Sequence, residues 1–101
     1  MVARTQRDFT GTVSNFSSAL IDNDGIPYFE FALTLPLEDS PYDYPLVAVL
    51  YVNLRQKNAK QIVSLVISAW ASHFKIDVFL IKSVPQKMRV ARVEKTARRK
   101  K

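Results

Sequence analysis

Cations concentrate at one end of this chain. Lys87, Arg89, Arg92, Lys95, Arg98, Arg99, Lys100 and Lys101 fall within the last fifteen positions, where only Glu94 opposes them. Those fifteen residues carry a net charge of +7, and the other 86 a net charge of −1. A local excess of this size attracts polyanions, and each phosphate neutralised releases counterions and steepens the salt dependence of binding. A merely solubilising end would have the same composition. The second chemistry is aromatic. Six Phe, four Tyr and one Trp offer ring faces, and a base stacked on an accessible ring gains about 1–3 kcal/mol. Cations that follow phosphates and rings that hold bases are the two requirements for binding single-stranded nucleic acid.

Other chemistries find little to work with. The chain has no cysteine, which excludes disulfides and thiolate metal sites. His73 is its single histidine. It stands at the end of an apolar segment, no serine has a nucleophile signature around it, and it reads as a helix-terminal residue rather than a catalyst. There is no glycine-rich phosphate loop. The carboxylates Glu38 and Asp39 lie in a proline-bounded loop without the burial that would tune an acid–base pair. Asp22-Asn23-Asp24-Gly25 opens like a calcium loop, but Phe29 and Phe31 fall where oxygen ligands are needed. The expectation is a protein with no enzymatic activity, no cofactor and no metal. The first eight residues place no apolar run behind their charges, so no signal peptide is predicted. The longest apolar stretch, Ile62 to Ala71, is too short to span a bilayer. The expected location is cytoplasmic, with no membrane partner.

The elements that must position these side chains fit one domain of 101 residues. Phe9 to Leu20 reads as a strand, with Gly11 marking a bulge or a close backbone approach. Asp22 to Gly25 is a turn whose Asp-Gly pair suits a tight hairpin. Pro27 to Leu37 alternates strictly: Phe29, Phe31, Leu33 and Leu35 face one way, and Tyr28, Glu30, Ala32 and Thr34 the other. An acidic loop follows from Glu38 to Pro45. Leu46 to Leu54 is almost continuously apolar and reads as a strand buried on both faces or nearly so. Asn58 is a candidate N-cap for a helix over 58–73, on which Ile62, Val63, Val66, Ile67, Trp70 and Phe74 recur at helical spacing. Val63, Leu65, Ile67 and Ala69 also alternate as a strand would, so the type of residues 61–70 stays open at this level. Strands over 75–84 and 87–94 are split by Pro85-Gln86, and the rest is a basic tail without apolar periodicity, expected to be disordered. The predicted organisation is a mainly β domain over 1–94 and a tail over 95–101.

The order β-β-β-α-β-β matches the five-stranded OB-fold barrel, which commonly binds oligonucleotides. The stretch Gly11-Thr12-Val13, followed after the turn by Asp24-Gly25-Ile26-Pro27-Tyr28-Phe29-Glu30-Phe31-Ala32-Leu33, resembles the start of bacterial single-stranded DNA-binding proteins. It is most similar to the primosomal replication protein N branch of that family. The resemblance covers residues 9–35 by motif and the rest by element order. It implies an OB barrel, no enzymatic activity, a role in DNA replication or recombination, and a homodimer or homotetramer. Two features depart from the family. A Lys-Gly turn normally precedes the fourth strand, where this chain has Ser72-His73-Phe74-Lys75, and the usual acidic tail is here replaced by Arg98-Arg99-Lys100-Lys101. The reversed charge favours direct contact with nucleic acid over recruitment of partner proteins.

On this reading Tyr28 is the foremost base-stacking candidate, because it shares a polar face beside the turn. Tyr51 and Trp70 are further candidates, although the strand of one and the helical stripe of the other suit a core. Lys82, Lys87, Arg89 and Arg92, with Arg98, Arg99, Lys100 and Lys101 of the tail, are the phosphate-contacting candidates. Phe29 and Phe31 are assigned to the core. Tyr42 and Tyr44 belong to an acidic loop that repels phosphate. The expected partner is single-stranded DNA, with RNA open. The alternative is a protein-assembly module whose helix packs on a partner and whose tail tethers it to a polyanion.

Overall fold

A computed structural model of the chain describes residues 8–81 and 88–96. It contains five strands and one α-helix: β1 (Phe9–Ile21), β2 (Pro27–Thr34), β3 (Val47–Asn53), α1 (Ala59–Ser72), β4 (Ile76–Leu80) and β5 (Val90–Lys95), with a 3-10 turn at Leu37–Asp39. The architecture is mainly β with one helix, in the predicted order. The open choice at residues 61–70 is settled as helix. Ala59, Ile62, Val66 and Ala69 form its buried stripe at 3.6-residue spacing, and that burial outweighs the strand preference of its β-branched residues. β2 stops at Thr34, three residues before the predicted end, because Pro36 leads the chain into the 3-10 turn. β5 runs to Lys95, and the Thr96 amide donates to the Lys75 carbonyl (3.1 Å), so regular structure passes the expected boundary at Glu94. The predicted ends of the last two strands near residues 82–87, and the tail from Ala97 to Lys101, lie outside the described residues.

The strands form one antiparallel sheet in the order β3-β2-β1-β4-β5. β1 is long enough to serve two neighbours: residues 12–21 pair with β2 and residues 9–11 with β4. Register shifts between Val13 and Asn15 and between Ser17 and Leu20 bend it, as bulges do. The bend brings the two edge strands towards each other. They meet at one parallel bridge, Tyr51 with Arg89, where the Tyr51 amide donates to the Met88 carbonyl (3.0 Å). Among the described residues the sheet is otherwise open.

Three local features explain how the chain makes these turns. A Cβ on Gly11 would collide with the Thr34 carbonyl oxygen and lie 3.0 Å from its carbon, which is the close approach expected of that glycine. At the β1–β2 hairpin Gly25 takes a positive φ of 77°, and the Asp22 carboxylate accepts from the amides of Asp24 (2.8 Å) and Ile26 (3.0 Å). At the end of α1, His73 occupies the left-handed position (φ 58°, ψ 43°) usually taken by glycine, so the helix stops in the ordinary way without one. At its other end Asn58 holds the expected N-cap position, its carbonyl accepting from the Ile62 amide (3.0 Å), but its side chain makes no capping bond. Its side chain accepts from Gln56 Nε2 (2.9 Å) and donates to the Ala91 carbonyl (2.8 Å), tying α1 to β5 instead.

The core lies between the concave side of the sheet and α1. Phe29, Phe31 and Leu33 of β2, Leu50 and Val52 of β3, Ile76 and Val78 of β4 and Val90 of β5 meet the helical stripe there. The expectation that β3 is buried on both faces is corrected. Ala48, Leu50 and Val52 are buried, but Val47 and Val49 are 56% and 39% exposed. As an edge strand bridged to β5 only at Tyr51, β3 has nothing among the described residues to cover its outer face, and valine suits a pleated surface there by shape alone.

Candidate nucleic-acid interface

Strict alternation in β2 and β3 sends one set of side chains to the core and the other to the convex side of the sheet. Tyr28, Glu30, Ala32 and Thr34 of β2 and Val47, Val49, Tyr51 and Asn53 of β3 make up that outer set. The register pairs Tyr28 with Asn53 and Glu30 with Tyr51, which leaves Tyr28 and Tyr51 as diagonal neighbours. Their ring centroids lie 5.6 Å apart at an interplanar angle of 63°, an edge-to-face pair with both rings partly exposed. Arg89 is the bridge partner of Tyr51, and because Val90 next to it points into the core, Arg89 points outward with the tyrosines. Residues far apart in sequence thus share one face, with the two rings of Tyr28 and Tyr51 beside the position at which Arg89 bridges to β3. The hairpin Asp22–Gly25 leads directly into this face at Tyr28.

The other predicted site residues are dispersed. Trp70 lies on α1 on the opposite side of β2. Its ring meets Phe16 edge-on (5.2 Å, 90°), and Phe16 stacks on the buried Phe29 (5.7 Å). Trp70 nevertheless remains 45% exposed. It does not join the tyrosine pair. Arg92 is outward on β5, with its guanidinium carbon 3.9 Å above the Phe79 ring and its Nε 3.3 Å from Glu94 Oε2. Lys82, Lys87, Arg98, Arg99, Lys100 and Lys101 lie outside the described residues.

Two features escaped sequence reasoning. Phe79 is buried yet stands apart from the main core cluster, beneath Arg92 on the outer face of β4. The signal was present in the alternation of Ile76, Val78 and Leu80 towards the core, which leaves Asp77 and Phe79 facing out. The second feature is the exposed parallel stack of Tyr42 and Tyr44 (5.3 Å, 6°) in the acidic loop, which their i, i+2 spacing in an irregular segment does not encode.

Nothing else described resembles a reaction centre. A shallow depression of about 260 Å³ is lined by Asp8, Phe9, Thr10, Leu35 and Asp39, away from the tyrosines. Its neighbour Asp77 accepts hydrogen bonds from Thr10 Oγ1 (2.7 Å) and Thr96 Oγ1 (2.9 Å), which fasten β1 and the end of β5 to β4. Among the described residues no group of three or more His, Asp or Glu side chains is placed to hold a metal ion. No described helix is long and apolar enough to cross a membrane. Comparison with protein-family models, curated proteins and solved structures finds no match.

Proposed function

We propose that this chain is a non-enzymatic single-stranded DNA-binding protein of the OB-fold type, acting in replication or recombination. The observation that carries this reading is the patch of Tyr28, Tyr51 and Arg89 on the outer face of β2 and β3. In a five-stranded Greek-key barrel this face and the β1–β2 and β4–β5 loops are where oligonucleotides bind. The strand order and the parallel approach of β5 to β3 fit such a barrel, left partly open. Bases stack on the two rings, Arg89 holds a phosphate, and the tail cations add affinity that does not depend on sequence. RNA would be bound by the same means, in the cytoplasm, by a homodimer or homotetramer. The test is anisotropy of labelled single strands with Tyr28→Ala and Tyr51→Ala. Each should lose about 1–3 kcal/mol of binding while the domain stays folded, and unchanged affinity in both folded variants would remove this face from the site.

One observation favours a second reading, an assembly module. Ile67 and Trp70 on the outside of α1 are 38% and 45% exposed, and from Gln61 to Ser72 the helix carries no charge. Interface cores are depleted of charge and enriched in aromatic residues. Trp70→Ser would then dissociate an oligomer without affecting nucleic-acid affinity, which light scattering and anisotropy measure separately.

A further inference from the structure

Glu30 places a carboxylate in the middle of a face assigned to nucleic acid. It is opposite Tyr51 across β2 and β3 and two residues from Tyr28 on the same side. Its side chain makes no hydrogen bond or ion pair with any described residue. Arg89 flanks Tyr51 on the other side. Glu30 on β2, Tyr51 on β3 and Arg89 just before β5 therefore form a row: an acceptor, a ring and a cation, each about 4.8 Å from the next in backbone spacing. A phosphate near Glu30 would be repelled, so the row has a direction. A base stacked on Tyr51 turns its sugar-phosphate side towards Arg89 and its Watson–Crick edge towards Glu30.

An ionised carboxylate only accepts hydrogen bonds. Guanine presents two adjacent donors on its Watson–Crick edge, N1–H and the N2 amino group, which match the two carboxylate oxygens. Cytosine and adenine offer one amino group each. Thymine and uracil offer a single N3–H between two carbonyls that repel the carboxylate. We propose that Glu30 is a specificity-determining residue that makes the Tyr51 position prefer guanine, then cytosine and adenine, over thymine or uracil. This inference rests on the reading of the β2–β3 face as the strand-binding surface. It adds base preference, which stacking alone does not supply.

The experiment titrates the full chain with labelled strands of roughly 15 nucleotides, within the site sizes of such domains: oligo-dT, oligo-dC and alternating dG-dT. The unmodified protein should bind alternating dG-dT at least about fivefold more tightly than oligo-dT, the lower end of what one two-point base contact supplies. Glu30→Ala and Glu30→Gln should bring that ratio close to one while oligo-dT affinity stays level or rises, and Glu30→Asp should keep part of the preference. An unmodified protein without preference overturns the proposal. So does a ratio that survives in both Glu30→Ala and Glu30→Gln, or an equal gain for all strands in both, which makes Glu30 only a brake on phosphate. Failure of the underlying face is separate: it appears as unchanged oligo-dT affinity in folded Tyr28→Ala and Tyr51→Ala.

Discussion

Substituting Gly11 by alanine tests the packing that holds β1 and β2 together. The added methyl would overlap the Thr34 carbonyl oxygen, sit 3.0 Å from its carbon and come within 3.2 Å of Leu33 Cγ. Leu33 is fully buried and its side chain has little room to turn away. The nearest obstacle is backbone, held in place by the pairing of Thr34 with Val47 on β3 and of Thr12 with Thr34 on β1. Relief therefore requires the two strands to separate locally, disturbing ladder hydrogen bonds on both sides of β2. Overpacking of this kind costs about 1–3 kcal/mol and occasionally more, and the rigidity of the obstacle places Gly11→Ala at the upper end. For a domain of this size about 3 kcal/mol lowers the melting temperature by roughly 12–24 °C. Thermal denaturation followed by circular dichroism reads this directly. A Gly11→Ala protein melting within a few degrees of the unmodified chain would refute the close approach of β1 to Thr34.

Other consequences are open to equally simple measurements. His73→Gly should stabilise the domain by about 1 kcal/mol, because the left-handed position strains any other residue; urea denaturation measures it, and a loss of stability would contradict the C-cap geometry. Tyr51→Phe keeps the ring and its contact with Tyr28 and should bind single strands within about twofold, whereas Tyr51→Ala should weaken binding by about fivefold or more. Trp70 is the only tryptophan and lies across β2 from the tyrosine pair; its emission should change little on adding single-stranded DNA, and strong quenching would instead put bases on the helix. Arg92→Ala should lower stability by less than about 1 kcal/mol, since its ion pair with Glu94 is exposed and its ring contact with Phe79 is a single cation–π pair.

Local patterns carried much of this architecture. The alternation around Phe29 and Phe31 and the Asp-Gly turn specify the hairpin and β2 as far as Thr34 without tertiary help. The helix could not be decided locally, because Val63, Leu65, Ile67 and Ala69 satisfy two periods; only its packing on the sheet selects one. β3 misled because Val47 and Val49 are as apolar as the core yet face outward on an edge strand. Asn58 has the right type for a cap, but a carbonyl of β5 competes for its side chain, a partner 33 residues away. The same limit governs the candidate site. Tyr28 was recognisable from its polar face, and Tyr51 and Arg89 from their residue types, but their union depends on a bend in β1 that brings two edge strands together. Trp70 and Arg92 have suitable chemistry but lie beside Phe16 and Phe79 rather than beside the tyrosine pair.

The most direct test compares the full chain with a chain ending at Thr96, titrated with single-stranded and duplex DNA at several salt concentrations. Removing Arg98, Arg99, Lys100 and Lys101 takes away four cations, so the slope of log affinity against log salt should become shallower by up to about 3 for single strands. The preference for single strands should survive the truncation and be lost with Tyr28→Ala and Tyr51→Ala combined. Binding that disappears with the tail, or that ignores strandedness from the outset, would contradict a strand-binding face on β2 and β3 and leave the tail as a generic polyanion tether.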